Sequence, residues 1–120
     1  MSQAACDLTK RRCVPCEGGV PAVGRAQAYE FLKVLPGWKL VDSGKMIRRE
    51  WLMKDFAAAV AFIGRIKDAA EKEGHHPDLH LTSYRKLAVE LYTHAIGGLS
   101  DNDFILAAKI EKLPKDLKKS

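Results

Sequence analysis

Residues 55–77 have the sequence DFAAAVAFIGRIKDAAEKEGHHP, and this stretch predicts the longest helix of the chain. Asp55 is a good N-cap, because its short carboxylate can accept a hydrogen bond from the first helical turn. The helix is expected to run to about Glu73 and to end at Gly74. Apolar residues recur at three- and four-residue steps, which predicts one buried face. The residues of that predicted face are Phe56, Val60, Ile63 and Ile66.

The corner His75-His76-Pro77 follows this helix directly. Pro77 fixes its own φ and disfavours helical geometry at His76, so the helix cannot continue. Both imidazoles are therefore expected on a rigid corner just beyond a helix C-terminus. A helix C-terminus also favours a cationic ring, so a purely structural role as helix-end charge is an alternative for both histidines.

The flanking segments predict two further helices and two β-hairpins. One helix from Val23 to Leu35 is stopped by Pro36-Gly37. Another begins at Ser100, with Asp103 at its third position as a capping-box variant. Between them, stretches of alternating apolar and polar residues predict four strands. The order α-β-β-α-β-β-α predicts an α+β fold, in which a four-stranded antiparallel sheet carries three helices packed on one face.

Composition narrows the class of protein further. The chain has 120 residues, 47% hydrophobic and 29% charged, which predicts one domain with an ordinary core. Its longest apolar run, from Phe56 to Gly64, is far shorter than the ~20 residues of a membrane span, so no membrane is expected. The net charge of +5 is spread thinly along the chain. A nucleic-acid binder gathers its Lys and Arg into one stripe, so no direct contact with nucleic acid is expected.

Residues 1–22 predict an irregular N-terminal arm, and residues 23–120 the folded domain. The three cysteines, Cys6, Cys13 and Cys16, lie in the arm, and an odd count is a poor framework for a secreted disulfide scaffold. Cys13 and Cys16 have the spacing of a zinc knuckle or a redox pair, but no second pair follows. The arm lacks the continuous apolar stretch of a secretory signal. We therefore expect a cytoplasmic location, with nuclear presence only in the case of an interaction role.

All four histidines fall in one short span of the chain, namely His75, His76, His80 and His94. A hairpin that runs out and back can bring the His75-His76 corner beside the end of the strand that carries His94. An unperturbed histidine titrates near ~6.5, so such a cluster predicts a general acid–base site. His80, flanked by two leucines, is expected instead on a strand surface.

Strict alternation places His94 on the face of its strand away from Leu91. We resolve this by ending the strand near Tyr92. Thr93, His94 and Ala95 then belong to the turn that precedes Gly97.

These residues together resemble the pterin-4a-carbinolamine dehydratase family. The family pattern is a glutamate, three residues, His-His-Pro, an aromatic residue, a further histidine and a closing aspartate. The matching residues here are Glu71, His75-His76-Pro77, Tyr84, Thr93-His94 and Gly98-Leu99-Ser100 with Asp103. Gly37-Trp38 and Lys54-Asp55-Phe56 also match, so the resemblance covers residues 23–113. Gly74 and Ala95 depart from the animal pattern, in which acidic residues are frequent at these positions.

The resemblance implies a dehydratase that converts 4a-hydroxytetrahydrobiopterin, or a related pterin, to quinonoid dihydropterin and water in tetrahydrobiopterin recycling. A base removes the N5 proton while an acid protonates the departing hydroxyl, and neither step needs a metal or redox cofactor. His75 and His94 are expected to carry the proton transfers, and His76 to bind the pterin or its hydroxyl. The residues expected to orient these rings or bind substrate are Glu71, Gly74, Pro77, Tyr92, Thr93, Ala95 and Asp103.

Two other functions remain open. Some members of this family also act as dimerisation cofactors for a homeodomain transcription factor, and the same helices could carry that contact. Alternatively, His75, His76 and His80, or the arm cysteines, bind a metal ion, although adjacent histidines rarely point at one ion. An antiparallel sheet of this size leaves an edge or face to cover, so a homodimer or homotetramer is expected.

Overall fold

The helices and strands follow the predicted order in the computed structural model, which describes residues 22–119. The described helices are α1 (Arg25–Leu32), α2 (Phe56–Glu73) and α3 (Asp101–Glu111). The described strands are β1 (Lys39–Val41), β2 (Met46–Leu52), β3 (Asp78–Thr82) and β4 (Lys86–Leu91). These elements confirm the α+β class. The predicted arm, with its three cysteines, lies outside the described residues except for Ala22.

The four strands form one antiparallel sheet in the order β1-β2-β4-β3. Arg49 of β2 lies opposite Val89 of β4, which sets the register at the centre of the sheet. Side chains alternate between the two faces of a strand, so one face collects the apolar residues. The buried residues of that face include Ile47, Trp51, Leu87, Val89 and Leu91. None of the described helices is both long enough and apolar enough to cross a membrane.

Helix α2 has the predicted bounds but a different buried face. Asp55 caps it by accepting a hydrogen bond from the Ala58 N–H at 2.8 Å, and Gly74 ends it with a left-handed φ of 67°. The residues buried on the helix are Ala59, Phe62, Ile66 and Ala70. The predicted face was wrong at Phe56 and Val60, which are 56% and 47% exposed. Apolar residues occupy more than one side of this helix, so periodicity alone could not select the side that meets the sheet.

Helix α1 is shorter than the predicted span of residues 23–35. It ends at Leu32, and the chain continues in single turns, with the Leu35 N–H donating to the Leu32 carbonyl at 3.1 Å. Leu35 is nonetheless buried. Phe31 stacks on Phe104 of α3 with ring centroids 4.5 Å apart. The helix is therefore anchored in the core by Ala28 and Phe31, and the turns that follow it are anchored by Leu35.

Arg49 lies on the apolar face of β2, where the alternating pattern is interrupted. Its guanidinium covers the ring of Trp51 at 5.0 Å and donates through Nη1 to the Pro36 carbonyl at 3.2 Å. Its Nε lies 3.3 Å from the Glu111 carboxylate of α3, which also accepts a hydrogen bond from Trp38 Nε1 at 2.8 Å. A cation over an indole face is favourable, so Arg49 can lie on the apolar face of the sheet. Its hydrogen bond to Pro36 also holds the α1–β1 connection against β2.

Gly37 leaves the space that this guanidinium fills. Its φ is +92°, and a Cβ built there would lie 1.2 Å from Arg49 Nη1. Gly37→Ala should lower the free energy of unfolding by about 2 kcal/mol, since a left-handed backbone costs an L-residue roughly 1–2 kcal/mol and Arg49 must also move. Urea denaturation measures the change.

The matched control is Gly64→Ala in the middle of α2, where a Cβ meets nothing within 4 Å. It should raise the free energy of unfolding by up to about 1 kcal/mol, because alanine is the better helix former. A Gly37→Ala protein as stable as the parent would contradict the proposed role of this glycine.

The opposite face of the sheet carries a charge network centred on Glu90. Its carboxylate accepts hydrogen bonds from Arg48 Nη1 and, at 2.9 Å, from His80 Nε2. Arg48 also binds Glu50 through Nη2 at 2.8 Å. Burial by itself would raise the pKa of Glu90, but the hydrogen bonds from His80 and Arg48 outweigh it, and the pKa lies below its ordinary value. His80 is thus an exposed strand residue that donates a hydrogen bond within this network.

Glu90 should make the stability of the fold depend on pH. Because folding lowers the pKa of Glu90 from its ordinary value of 4.5, its contribution is present above that value and is lost as the pH falls through the lower pKa of the folded protein. Glu90→Gln should reduce the free energy of unfolding by about 1 kcal/mol near neutral pH. The reduction should vanish in strong acid.

Chemical denaturation at several pH values measures this effect. Glu50→Gln is the matched control, since the Glu50 carboxylate is 69% exposed and should change stability much less. An unfolding free energy for Glu90→Gln that parallels that of the parent at every pH would refute the assignment.

Candidate active site

The end of α2 directs His75 into the protein. The left-handed Gly74 turns the backbone, and the His75 N–H donates back to the Ala70 carbonyl at 3.2 Å. His75 Nε2 then lies 2.6 Å from Oδ1 of Asp103 on α3. The His75 side chain is only 12% exposed and that of Asp103 is fully buried. Because Gly74 turns the chain at the end of α2, the His75 imidazole reaches the first turn of α3.

Asp103 holds three segments of the chain with one carboxylate. Its Oδ2 accepts a hydrogen bond from the Ser100 N–H at 2.9 Å, which is the reach-back of a capping box. The same oxygen accepts a hydrogen bond from Thr93 Oγ1 at 2.8 Å, and the Thr93 and Ser100 hydroxyls lie 2.7 Å apart. The N-terminus of a helix also favours a negative charge. The buried carboxylate is therefore fully satisfied.

His94 begins a single 3-10 turn, His94–Ile96, directly after Thr93. Strand β4 ends at Leu91, and Thr93 exchanges backbone hydrogen bonds with Gly98 at 2.8 and 3.3 Å, which closes the loop. The predicted end of the strand is therefore correct to one residue. Thr93 turns its side chain to Asp103, whereas exposed His94 contacts Tyr92 with its Nε2 2.6 Å from the phenol oxygen.

His76 is exposed beside this arrangement. Its Nε2 lies 2.5 Å from the carboxylate of Glu71 on the last turn of α2. Each of the three histidines nearest in sequence thus binds a different carboxylate, namely His75 with Asp103, His76 with Glu71 and His80 with Glu90. Within residues 22–119 no group of three or more His, Cys, Asp or Glu side chains is placed to hold a metal ion. The alternative of a site built from His75, His76 and His80 has no geometric support in this part of the chain.

The remaining predicted residues differ in their burial and position. Gly74 and Ala95 are exposed, and Pro77 is half-buried at the corner. Tyr84 of the family pattern lies in the β3–β4 turn, 56% exposed, with the Arg85 guanidinium 5.4 Å from its ring. Among the described residues, the Tyr84 ring contacts its neighbour Arg85 and none of the histidines.

Two side chains have roles that sequence reasoning missed. Thr93 was expected to orient a ring or bind substrate, but the hydrogen bond that its hydroxyl donates to the Asp103 carboxylate was not predicted. Ser100 was identified as a helix cap, and its hydroxyl also binds Thr93. The capping spacing could have suggested Asp103 as an acceptor, but no local signal connects it with residues 93 or 75.

The cluster formed by His75, Thr93, Ser100 and Asp103 can hold and move protons. An ionised carboxylate only accepts hydrogen bonds, so Asp103 requires a hydrogen on Nε2 of His75. A neutral His75 ring then has its lone pair on Nδ1, and Asp103 supplies a counter-charge for the cation formed on protonation. A carboxylate that fixes an imidazole in this way is the usual partner of a general base.

The sequence and the fold are shared with a known family of proteins. The family model described as pterin 4 alpha carbinolamine dehydratase matches residues 21–113. A solved structure of a transcriptional coactivator/pterin dehydratase from Brucella melitensis superposes with a TM-score of 0.70 at 32% identity, covering 75% of this chain and 95% of that one. The chain belongs to the pterin-4-alpha-carbinolamine dehydratase family.

Individual relatives extend the similarity along most of the chain. A protein from Nitrosomonas europaea is 47% identical over 111 residues, which are 92% of this chain and 96% of that protein. Pterin-4-alpha-carbinolamine dehydratase 2, mitochondrial, from Arabidopsis thaliana is 44% identical over 110 residues. That match covers 89% of this chain and 59% of the Arabidopsis protein, so the chain spans somewhat more than half of that relative.

Asp103→Asn tests the structural role of the carboxylate. The amide accepts through one oxygen only, so either His75 must move its hydrogen to Nδ1 or Thr93 and the Ser100 N–H lose their acceptor. The favourable negative charge at the start of α3 is lost in both cases. We expect the free energy of unfolding to fall by about 1–3 kcal/mol. Asp68→Asn, at a side chain that is 75% exposed, should change it by less than about 0.5 kcal/mol. Equal stability of the two variants in urea would show that Asp103 does not organise this region.

Proposed function

We propose that this protein dehydrates a 4a-hydroxytetrahydropterin to the quinonoid dihydropterin. The observation that supports it most is the junction at Asp103, where His75 binds one carboxylate oxygen and Thr93, the neighbour of His94, binds the other. The His75 ring and the chain segment that carries His94 are thereby held by one buried group. The family and the names of the relatives supply the substrate class.

The reaction needs two proton transfers and one bond cleavage. A base takes the proton from N5, the electron pair forms the C4a–N5 double bond, and the C4a–O bond breaks. An acid protonates the leaving hydroxyl, which departs as water, so protons and electrons balance without a redox partner. Each positioned acid or base supplies about 10²–10⁴ in rate. In our proposal the chemistry therefore requires no resident cofactor.

His75 suits the base, because its lone pair is on Nδ1 while Asp103 holds Nε2. His94 then acts as the acid at the 4a-hydroxyl. His76, exposed and held by Glu71, binds the pterin or its hydroxyl. In this proposal the exposed backbone at Gly74 and Ala95 meets the polar edge of a pterin, while the backbone N–H and carbonyl of Thr93 are bonded to Gly98.

Assembly and location belong to the same proposal. We propose a homodimer or homotetramer in the cytoplasm, where recycling of a tetrahydropterin would take place; the Arabidopsis relative is named as mitochondrial. An interaction role is the second candidate, because the Brucella structure is named as a coactivator as well as a dehydratase. The exposed Phe56 and Val60 on α2 are the observation that favours it.

The direct test is the decay of a synthetic 4a-hydroxytetrahydropterin, with the spontaneous reaction subtracted. His75→Ala and His94→Ala should each lower the catalysed rate by at least about 100-fold. His80→Ala is the matched control on the other face of the sheet and should retain activity.

Three outcomes are decisive. Parent protein that does no better than the spontaneous reaction would refute the enzyme. Unchanged turnover in His75→Ala would remove this residue from the mechanism. Lost turnover with unchanged molecular mass in light scattering separates catalysis from association.

A further inference from the structure

We propose that Tyr92 is a positioning residue for His94: its hydroxyl occupies Nε2, so that the neutral ring presents an Nδ1–H to the substrate. The catalytic meaning of this contact rests on the proposed function. The contact between Tyr92 and His94, and the position of the hydrogen on the His94 ring, are independent of that function.

The backbone fixes both rings. Leu91 and Thr93, on either side of Tyr92, are buried, so Tyr92 projects to the other side of the strand end. His94 is two residues further on and shares that side, with its ring centroid 4.3 Å from that of Tyr92 and the planes tilted by 54°. Thr93 between them is tied to Asp103 and to Gly98. The phenol and imidazole are thus two neighbours on one anchored segment.

The chemistry of the partner decides where the ring hydrogen lies. Ionised carboxylates can only accept, so the partners of His75, His76 and His80 each require a hydrogen on Nε2. Among the histidine partners within residues 22–119, only the Tyr92 hydroxyl can also donate.

A neutral imidazole nitrogen is a far better acceptor than a phenol oxygen. A phenol O–H is a good donor. Tyr92 therefore donates to Nε2, and the hydrogen of neutral His94 lies on Nδ1.

The consequence is a complementary pair of histidines. His75 has its free lone pair on Nδ1, and His94 has its free hydrogen on Nδ1. His75 can take a proton on Nδ1, whereas at His94 the Nδ1 hydrogen passes to the leaving hydroxyl while the hydrogen of the Tyr92 hydroxyl moves to Nε2. The His94 ring therefore stays neutral, and the Tyr92 phenolate regains its proton from water.

Nitrogen-15 NMR of the ring nitrogens tests the assignment in the intact protein. In basic solution His94 should show a protonated Nδ1 and a bare Nε2, with His75 showing the reverse. Tyr92→Phe should shift His94 towards the mixture of a free imidazole. Tyr29→Phe, at a tyrosine on α1 that is 52% exposed, should leave the His94 signals unchanged.

Kinetics supply the second measurement. Tyr92→Phe should lower kcat by about tenfold, as expected for the loss of one hydrogen bond of ordinary strength, with little change in KM. In a His94→Ala background, Tyr92→Phe should cause no further loss, because the hydroxyl acts through His94. Tyr29→Phe should match the parent in both constants.

A hydrogen on Nε2 of neutral His94 in the parent protein would overturn the proposal, and so would an unchanged His94 spectrum in Tyr92→Phe. If Tyr92→Phe does not fold, the spectrum of the parent decides. If the parent has no dehydratase activity, the proposed function fails, while the spectrum still decides the role of Tyr92.

Discussion

The buried carboxylate of Asp103 is the constraint on which the arrangement of this protein depends. A carboxylate removed from water is very costly unless its oxygens are hydrogen-bonded. Here the compensation comes from His75, Thr93 and the Ser100 backbone, together with the N-terminus of α3. Each donor belongs to a different part of the fold. The end of α2, the end of β4 and the start of α3 must therefore meet for the charge to be tolerated.

The surroundings of this carboxylate make the constraint strict. Leu99 and Phe104, the neighbours of the Ser100–Asp103 turn in sequence, are fully buried, as is Leu91 at the end of β4. Electrostatic interactions strengthen where water is excluded, and an unpaired polar group becomes correspondingly costly. The apolar core thus does more than stabilise the sheet, since it makes the geometry of the polar cluster almost obligatory.

Local signals made much of the fold predictable. Asp55, Gly74 and the capping pair Ser100–Asp103 are short-range features, and the structure places the corresponding helix ends where these residues indicate. Features that depend on distant partners were less accessible. The buried side of α2 was mispredicted at Phe56, because apolar residues lie on more than one side of that helix.

The same limit applies to the candidate site. The spacing of the histidines could suggest that they converge, and the resemblance could supply a chemistry. Neither the spacing nor the resemblance could show which group each imidazole is hydrogen-bonded to. The hydrogen bonds of Thr93 with Asp103 and of Tyr92 with His94 depend on where β4 stops, and a pattern of alternation does not determine that residue.

The end of β4 shows why that stopping point matters. Alternation continues through the last residues, so Thr93 faces inward and its neighbours Tyr92 and His94 face outward. The inward side chain anchors the segment to the carboxylate that also holds His75, while the outward pair remains accessible to solvent and to a ligand. A longer strand would bury this segment in the ladder, and a shorter one would release Thr93 from Asp103. The position at which pairing gives way to the Thr93–Gly98 bridge therefore sets both the rigidity of the site and its access.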